Sequence, residues 1–497
     1  MNRPTSLAEV TEARVAEAGV TDERSGEAAG RGEWTGVRRT AQPALVHGAP
    51  PRSGEEPEAV PPVPETLEQT GLSSAAISDL LLRTLHQQGA RTGAQLEEFI
   101  RLPFHLLDDE LMTLQQRRLV EVRSTQGVGR RGYLFDLTGE GRDRVREILP
   151  TNCYVGPAPV PLGQYWTIVD RQKVQDVRVG RDYVRAGFRH MVLDEELIDS
   201  VGPAINSGRS LFLYGDAGNG KTTIAEAIAE MMGGTIFVPF ALEIEGQIIA
   251  VFDPLHHRPP DDEDSGDSER WLKPAQGYDA RFIRVHRPVV MVGGELTLDQ
   301  LELQFDPQSG VFRAPPQVKA NGGVFIIDDF GRQRVRPRDL LNRWMLPLEK
   351  HVDFLTMPMG PKMPVPFECL LIFSTNLDPS ELVEEAFLRR IRYKILVGDP
   401  TRKQYEEIFM RCCAACGIEY DSQAVEYVYE NYYDRYGIPP RACHPRDIVG
   451  QVSDLAQYLE VEASLATQML KLACRAYFLD MPDPPAANEE EREADVD

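Results

Sequence analysis

The 497-residue sequence has no long hydrophobic run, no framework of paired cysteines and no surplus of basic charge. A bilayer-spanning helix needs about 20 consecutive apolar residues. No segment approaches that length, so membrane insertion is not expected. The stretch MNRPTSLAEVTEARVAEAG at the N-terminus lacks the continuous apolar core of a secretion signal. The seven cysteines (Cys153, Cys369, Cys412, Cys413, Cys416, Cys443 and Cys474) form an odd set in a large chain. They point to a reducing cytoplasm rather than a disulfide scaffold. RCCAACG has no second ligand pair at zinc spacing, and its cysteines read as small apolar residues on a helix. With 54 Lys and Arg against 77 Asp and Glu, the formal net charge is −23. Such acidity disfavours nonspecific binding to nucleic acid or anionic membrane by the protein as a whole, and leaves room for a local basic patch.

What is present suffices for a large core: 42% of the residues are hydrophobic, in a chain long enough for several domains. Residues 1–70 are rich in Pro, Glu, Gly, Ala and Arg with few large apolar side chains, and read as a disordered arm. MPDPPAANEEEREADVD, within 479–497, is a Pro-broken acidic tail. Between 71 and 150, ISDLLLRTLHQQG, TGAQLEEFIRLP and LLDDELMTLQQRRLVEVR predict three helices, the last running into a strand. STQGVGRRGYLFDLTGEGRDRVREIL then predicts a hairpin and a further helix. This order resembles a winged-helix domain, a helix-turn-helix variant.

That domain carries eleven Arg and eleven Asp or Glu, so it is not basic overall. Its expected recognition helix opens on Asp108, Asp109 and Glu110, which disfavours direct base readout. Gln115, Gln116, Arg117 and Arg118, with Arg130 and Arg131 on the wing, keep DNA contact through residues 71–150 as an alternative to protein docking. Residues 151–185 read as a linker.

The chemistry is concentrated further on. LFLYGDAGNGKTTIAEAIAE predicts a short buried strand (Leu211 to Tyr214), a G-x-x-x-x-G-K-T loop (Gly215 to Thr222) and a helix. Gly215, Gly218 and Gly220 permit the backbone angles and close approach that let N–H groups surround phosphate oxygens, with Asp216, Ala217 and Asn219 filling the loop. Lys221 would reach the β- and γ-phosphates, the Thr222 hydroxyl would ligate Mg²⁺, and Thr223 would sit beside the α- and β-phosphates. Downstream, GGVFIIDDFGRQ is an apolar run ending in two aspartates. Charge is costly inside a strand covered on both faces, so Asp328 and Asp329 belong at its carboxyl end, where open α/β sheets place their ligand crevices. Asp328 would hold the Mg²⁺ through its water shell.

From Val192 to about Leu459 the chain resembles the AAA+ ATPases, of the type with a hairpin before sensor 1. The fold implied is α/β: a P-loop parallel sheet flanked by helices over 186–400, then a helical lid over 401–478. Asn376, closing LLIFSTN, matches sensor 1, which positions attacking water near the γ-phosphate. Arg389 and Arg390 in EEAFLRRIRYKI match arginine fingers donated to a neighbouring subunit, and Arg446 in CHPRDIVGQ matches sensor 2. HVDFLTMPMGPKMPVPFECLLIFSTN places the expected hairpin, turning near Pro358 to Pro361. PPDDEDSGDSER reads as a mobile acidic loop, and RFIRVHRPVVMVGGELTLDQLELQF as strands added to a minimal core.

Most of the family has Asp-Glu where this chain has Asp328-Asp329. The Glu orients or deprotonates the attacking water; Asp329 is one methylene shorter, so the backbone or the water must shift to bring it within hydrogen-bond reach. Glu295 is an alternative carboxylate for that task. The resemblance implies ATP and Mg²⁺ as cofactors, a homo-oligomeric ring with a hexamer expected, and remodelling of a protein partner. QVKANGGVFIIDDFGRQ looks like poorly characterised bacterial ATPases described as chaperone-like. Two other classes compete: a DNA-associated AAA+ protein located by its winged helix, and a scaffold that binds ATP and assembles with little hydrolysis.

Overall fold

The computed structural model describes residues 60–125, 127, 129–150, 152–260, 277–357, 362–379 and 385–478. Residues 1–59 of the expected arm, most of the acidic loop, the hairpin tip at 358–361 and the acidic tail lie outside the described residues. Residues 60–70, read as the end of the arm, are built into the fold. Leu67–Thr70 forms one helical turn capped by Thr66, and the Pro61 carbonyl accepts from the Asp279 N–H at 2.9 Å.

The N-terminal unit packs helices α1 (Ser74–Gln88), α2 (Gly93–Ile100) and α3 (Phe104–Gln116) against a three-stranded antiparallel sheet. The strands are β1 (Arg91–Thr92), β2 (Val120–Thr125) and β3 (Tyr133–Leu137), in the order β1-β3-β2, followed by α4 (Gly139–Ile148). α2 starts where it does because Thr92 and Gln95 form a reciprocal capping box. Leu81, Leu96, Leu111, Phe135 and Val145 fill the interior from the four helices and β3, with Val120 from β2.

The segment read as a linker is folded as well. It supplies β4 (Val160–Pro161), α5 (Leu162–Arg171) and α6 (Arg181–Gly187), and buries Tyr165, Ile168 and Val169. α7 (Glu195–Ser207), β5 (Leu211–Tyr214) and α8 (Lys221–Met231) follow. Next come β6 (Thr235–Pro239), β7 (Ala241–Ile244), β8 (Gln247–Ala250), β9 (Phe282–His286), β10 (Val289–Val292), β11 (Gln304–Asp306) and β12 (Val311–Arg313). β13 (Val324–Ile327), α9 (Pro337–Lys350), the hairpin β14 (Val352–Thr356) and β15 (Lys362–Pro366), β16 (Leu370–Thr375) and β17 (Tyr393–Leu396) complete the α/β region.

The main sheet has five parallel strands in the order β10-β13-β16-β5-β17. The period-2 alternation of a strand divides its side chains between two cores. Leu211, Leu213, Val324, Ile326, Leu370 and Ile372 meet Ile198, Ile224 and Ile228 from α7 and α8 on one face. Phe212, Phe325, Ile327, Leu371 and Phe373 meet Leu340 and Trp344 from α9 on the other. Val289–Val292, grouped above with added strands, is the edge strand of this main sheet. Its neighbours do form an accessory layer: a second sheet in the order β11-β12-β8-β7-β4 and the antiparallel ribbon β6-β9. The chain ends, among the described residues, in helices α10 (Arg402–Cys416), α11 (Ser422–Val428), α12 (His444–Tyr458) and α13 (Thr467–Tyr477) around a core rich in tyrosine.

One buried cation ties the N-terminal unit to the accessory layer. Arg281, 1% exposed, forms a two-pronged ion pair with Asp279 at 2.8 and 3.0 Å and donates to the Thr70 carbonyl and to Gln164. Removing one partner of such a pair leaves the other charge buried without compensation. Arg281→Ala should therefore cost about 3–5 kcal/mol in urea unfolding followed by tryptophan fluorescence; an unchanged midpoint and slope would show that the pair holds nothing together.

Candidate nucleotide site

At the carboxyl edge of the main sheet, β5 runs into the glycine loop. Gly215, Gly218 and Gly220 have φ of +135°, +89° and +83°, the region where side chains are disfavoured. Space reinforces the demand: a Cβ at Gly215 would lie 2.3 Å from the Val397 carbonyl oxygen, and one at Gly218 2.6 Å from the Cys443 sulfur. Asp216, Ala217 and Gly218 are exposed, Asn219 is buried, and α8 begins at Lys221 with its first amides facing the loop. Lys221 is 6% exposed, and its ammonium donates to the Asp216 carbonyl at 2.9 Å. Burial lowers its pKa, and the charges of Asp328, Asp329 and Asp216 act against that shift. A desolvated ammonium at a helix N-terminus is suited to a multiply charged anion.

One residue further on, the Thr222 hydroxyl donates to the Asp328 carboxylate at 2.9 Å to Oδ2 and 3.1 Å to Oδ1. A hydroxyl and a carboxylate are the hard oxygen donors that Mg²⁺ prefers. Thr223 is exposed on the same turn of α8. Asp329 has φ of +49°, an uncommon value for a residue other than glycine, and its Oδ1 lies 3.5 Å from the Asn376 Nδ2 at the end of β16. Glu295 is exposed, and its carboxylate accepts from the Gly293 N–H at 2.9 Å, within its own loop.

The helical region reaches the glycine loop through a residue that the sequence motifs did not single out. The Arg441 guanidinium pairs with Asp216 at 2.6 Å and with Asp399, just beyond β17. Asn219 donates to Asp399 at 2.7 Å and accepts from the Ala442 N–H, while the Cys443 N–H donates to the Gly218 carbonyl at 2.9 Å. Arg446, the residue matched to sensor 2, lies on the first turn of α12 with its side chain 75% exposed and paired with Asp447. A cleft of about 380 Å³ opens beside Asn219, with Leu193, Leu197, Val397 and Ile408 as apolar walls and Gln404 as a polar one. Arg389 is exposed, whereas Arg390 is half-buried and pairs with Glu349 of α9 at 3.4 Å.

In the N-terminal unit, the two arginines expected on a wing are engaged within the unit. Arg130 pairs with Asp108 at 2.6 Å and donates to Gln115, and Arg131 pairs with Glu97 at 2.6 Å. Glu110 is buried and accepts from Ser74 and Ser78. Gln116, Arg117 and Arg118 are exposed. Among the described residues there is no cluster of potential metal ligands involving the cysteines, and no helix long and apolar enough to cross a membrane.

A family model described as a domain of unknown function (DUF8689) matches residues 401–476. No curated protein matches the chain. Among solved structures the chain is similar to NtrX from Brucella abortus in complex with ATP, at 13% identity and a TM-score of 0.36, over 58% of this chain and 56% of that one. The ADP complex of NtrX is similar at 15% identity and a TM-score of 0.36, over 70% and 64% of the two chains. The RuvB Holliday junction branch migration motor of Thermotoga maritima follows at 15% identity and a TM-score of 0.33, over 65% and 77%. This chain therefore spans less than two thirds of the NtrX chains it matches.

Charge-assisted hydrogen bonds contribute about 1.5–3 kcal/mol each. Arg441→Ala should consequently loosen the helical region from the loop, and amide exchange at Ala442 and Cys443 should accelerate about tenfold or more. Exchange unchanged at those two amides would assign the attachment to Asn219 and the backbone alone.

Proposed function

We propose that the protein is a Mg²⁺-dependent ATPase of the AAA+ type that acts as a homo-oligomeric ring, with a hexamer expected, and remodels a protein partner in the cytoplasm. The observation that carries this is the Thr222–Asp328 pair set beside the buried Lys221 ammonium at the N-terminus of α8. Loop amides and Lys221 would bind the β- and γ-phosphates, and the cleft beside Asn219 has the apolar walls suited to a base. Thr222 and Asp328 would hold the Mg²⁺, which when bound neutralises charge on the phosphate oxygens. Asp329 would orient the attacking water with Asn376 beside it. Arg389 and Arg390 would act on a neighbouring subunit's nucleotide, with Arg446 and Arg441 as cations of the lid.

For the N-terminal unit, read as a winged helix, the internal ion pairs of Arg130 and Arg131 favour protein docking over DNA. Duplex binding needs unpaired cations facing phosphates. If the unit binds DNA instead, Arg130→Ala with Arg131→Ala should weaken duplex binding by the full chain and flatten its salt dependence.

Lys221→Ala should remove tight ATP binding in calorimetry while the fold persists; unchanged affinity in the folded variant would contradict the phosphate-loop assignment. Asp328→Asn should impair Mg²⁺-dependent binding, whereas Asp329→Asn should retain ATP and lose turnover. Mixing Asp329→Asn subunits with Arg389→Ala, Arg390→Ala subunits should partly restore hydrolysis, because some interfaces then pair an intact water site with intact fingers. Equal single-turnover rates for wild type and Asp329→Asn would remove Asp329 from the chemistry. Negligible rates in both, with ATP still bound, would leave a nucleotide-gated scaffold.

A further inference from the structure

The turn that carries the acidic pair is fastened by a side chain that none of the motifs above employs. Gln333 is 9% exposed. Its Nε2 donates to the Asp328 carbonyl at 3.0 Å and to the Asp329 carbonyl at 3.2 Å, with the Gly293 carbonyl at 3.5 Å. Its Oε1 accepts from the Gly331 N–H at 2.8 Å. One amide therefore spans the backbone on both sides of the position where φ is +49°. Left-handed backbone at a residue with a Cβ is unfavourable and persists where the surroundings over-determine it. Here the Phe330 N–H donates to the Ser374 carbonyl, and the Thr375 hydroxyl donates to the Phe330 carbonyl, which moor the next residue to β16.

The strain has a use. Continuing the β13 alternation would send Asp328 and Asp329 to opposite faces of the sheet. The left-handed turn breaks that alternation and leaves the Asp329 carboxylate near Asn376, on the edge that also holds Thr222. A Glu has an extra methylene with which to reach; an Asp depends on where its backbone is aimed.

We propose that Gln333 is the positioning residue for Asp329: its amide holds the left-handed turn that compensates for the short carboxylate. This rests on the ATPase reading. The test uses the full chain under oligomer-forming conditions, with Gln333→Met, which keeps volume and removes the amide, and Gln333→Met combined with Asp329→Glu. Small misplacements of a reacting group cost up to about 100-fold in rate. Gln333→Met should accordingly lower kcat about 10- to 100-fold with ATP affinity within about twofold of wild type, and Asp329→Glu should recover part of the loss through its longer reach. Should Gln333→Met fail to fold, Gln333→Leu serves instead, with the same two readouts and the same combination with Asp329→Glu.

A folded Gln333→Met with wild-type kcat overturns the inference. So does a rate loss matched by an equal loss of ATP affinity, or an Asp329→Glu that recovers nothing. Wild-type protein that binds ATP without turnover overturns the catalytic reading and this inference together, whereas wild-type turnover with an indifferent Gln333→Met overturns this inference alone.

Discussion

The inner strands of a sheet covered by helices on both faces cannot hold charge, and the arrangement of the site follows from that constraint. Burying an unpaired carboxylate is so unfavourable that β5, β13 and β16 carry no charged side chain, and the first one on each path stands beyond the strand's end. The strands run parallel, so those ends share one edge. Register sets where each emerges: Tyr214 stands opposite Thr375 and Leu396, while Ile327 stands opposite Phe373 and Val292, so β13 ends two residues before β16. Gly215, Asp328, Asn376 and Asp399 thus emerge side by side although 184 positions separate the first from the last.

The helical region is held over that edge by its own polar interior. Tyr405 and Tyr433 hydroxyls lie 2.8 Å apart, and the Tyr433 hydroxyl meets the His444 Nδ1 at 2.9 Å. Burial, reinforced by the Arg441 charge, lowers the His444 pKa to about 4, so the ring is neutral near pH 7 and its Nδ1 accepts. The same nitrogen is 3.3 Å from the Arg441 N–H. A chain of hydrogen bonds therefore runs from the core of the helical region to the backbone of the residue that grips Asp216.

A second set of ties joins the far side of the sheet to the accessory layer. Arg343 of α9 pairs with Asp353 at the base of the β14–β15 hairpin and with Glu302 at 3.2 Å; Gln317 also donates to Asp353, which is fully buried. α9 follows the acidic turn in the chain and packs Trp344 against Phe325 and Phe373, both at 5.9 Å between ring centroids. The hairpin, the acidic turn and the accessory strands consequently share one rigid helix. Arg281 extends the connection to the N-terminal unit through Thr70, so that unit is fastened to the layer by buried polar contacts rather than by a loose tether.

Contiguity decided what could be read in the chain without its structure. The glycine loop, the aspartate pair and Asn376 each consist of an apolar strand and the few residues that follow it, so local pattern and end-of-strand chemistry located them. Arg441 lies five residues before Arg446 in a stretch with arginines at both places; only the position of Asp216 and Asp399, brought by other strands, distinguishes the one that reaches the loop. The run VVMV reads as an added strand because the span from Lys221 to Asp328 is longer than a minimal core needs, yet pairing with β13 makes it the sheet's edge. Gln333 carries no signal in composition or spacing, since its partners are the Asp328 and Asp329 carbonyls, on a turn whose left-handed conformation the residue types do not announce. Asp where the resemblance implies Glu is legible in the sequence as a conflict between side-chain length and reach. The left-handed backbone at Asp329 is not legible there, because no single residue type announces it.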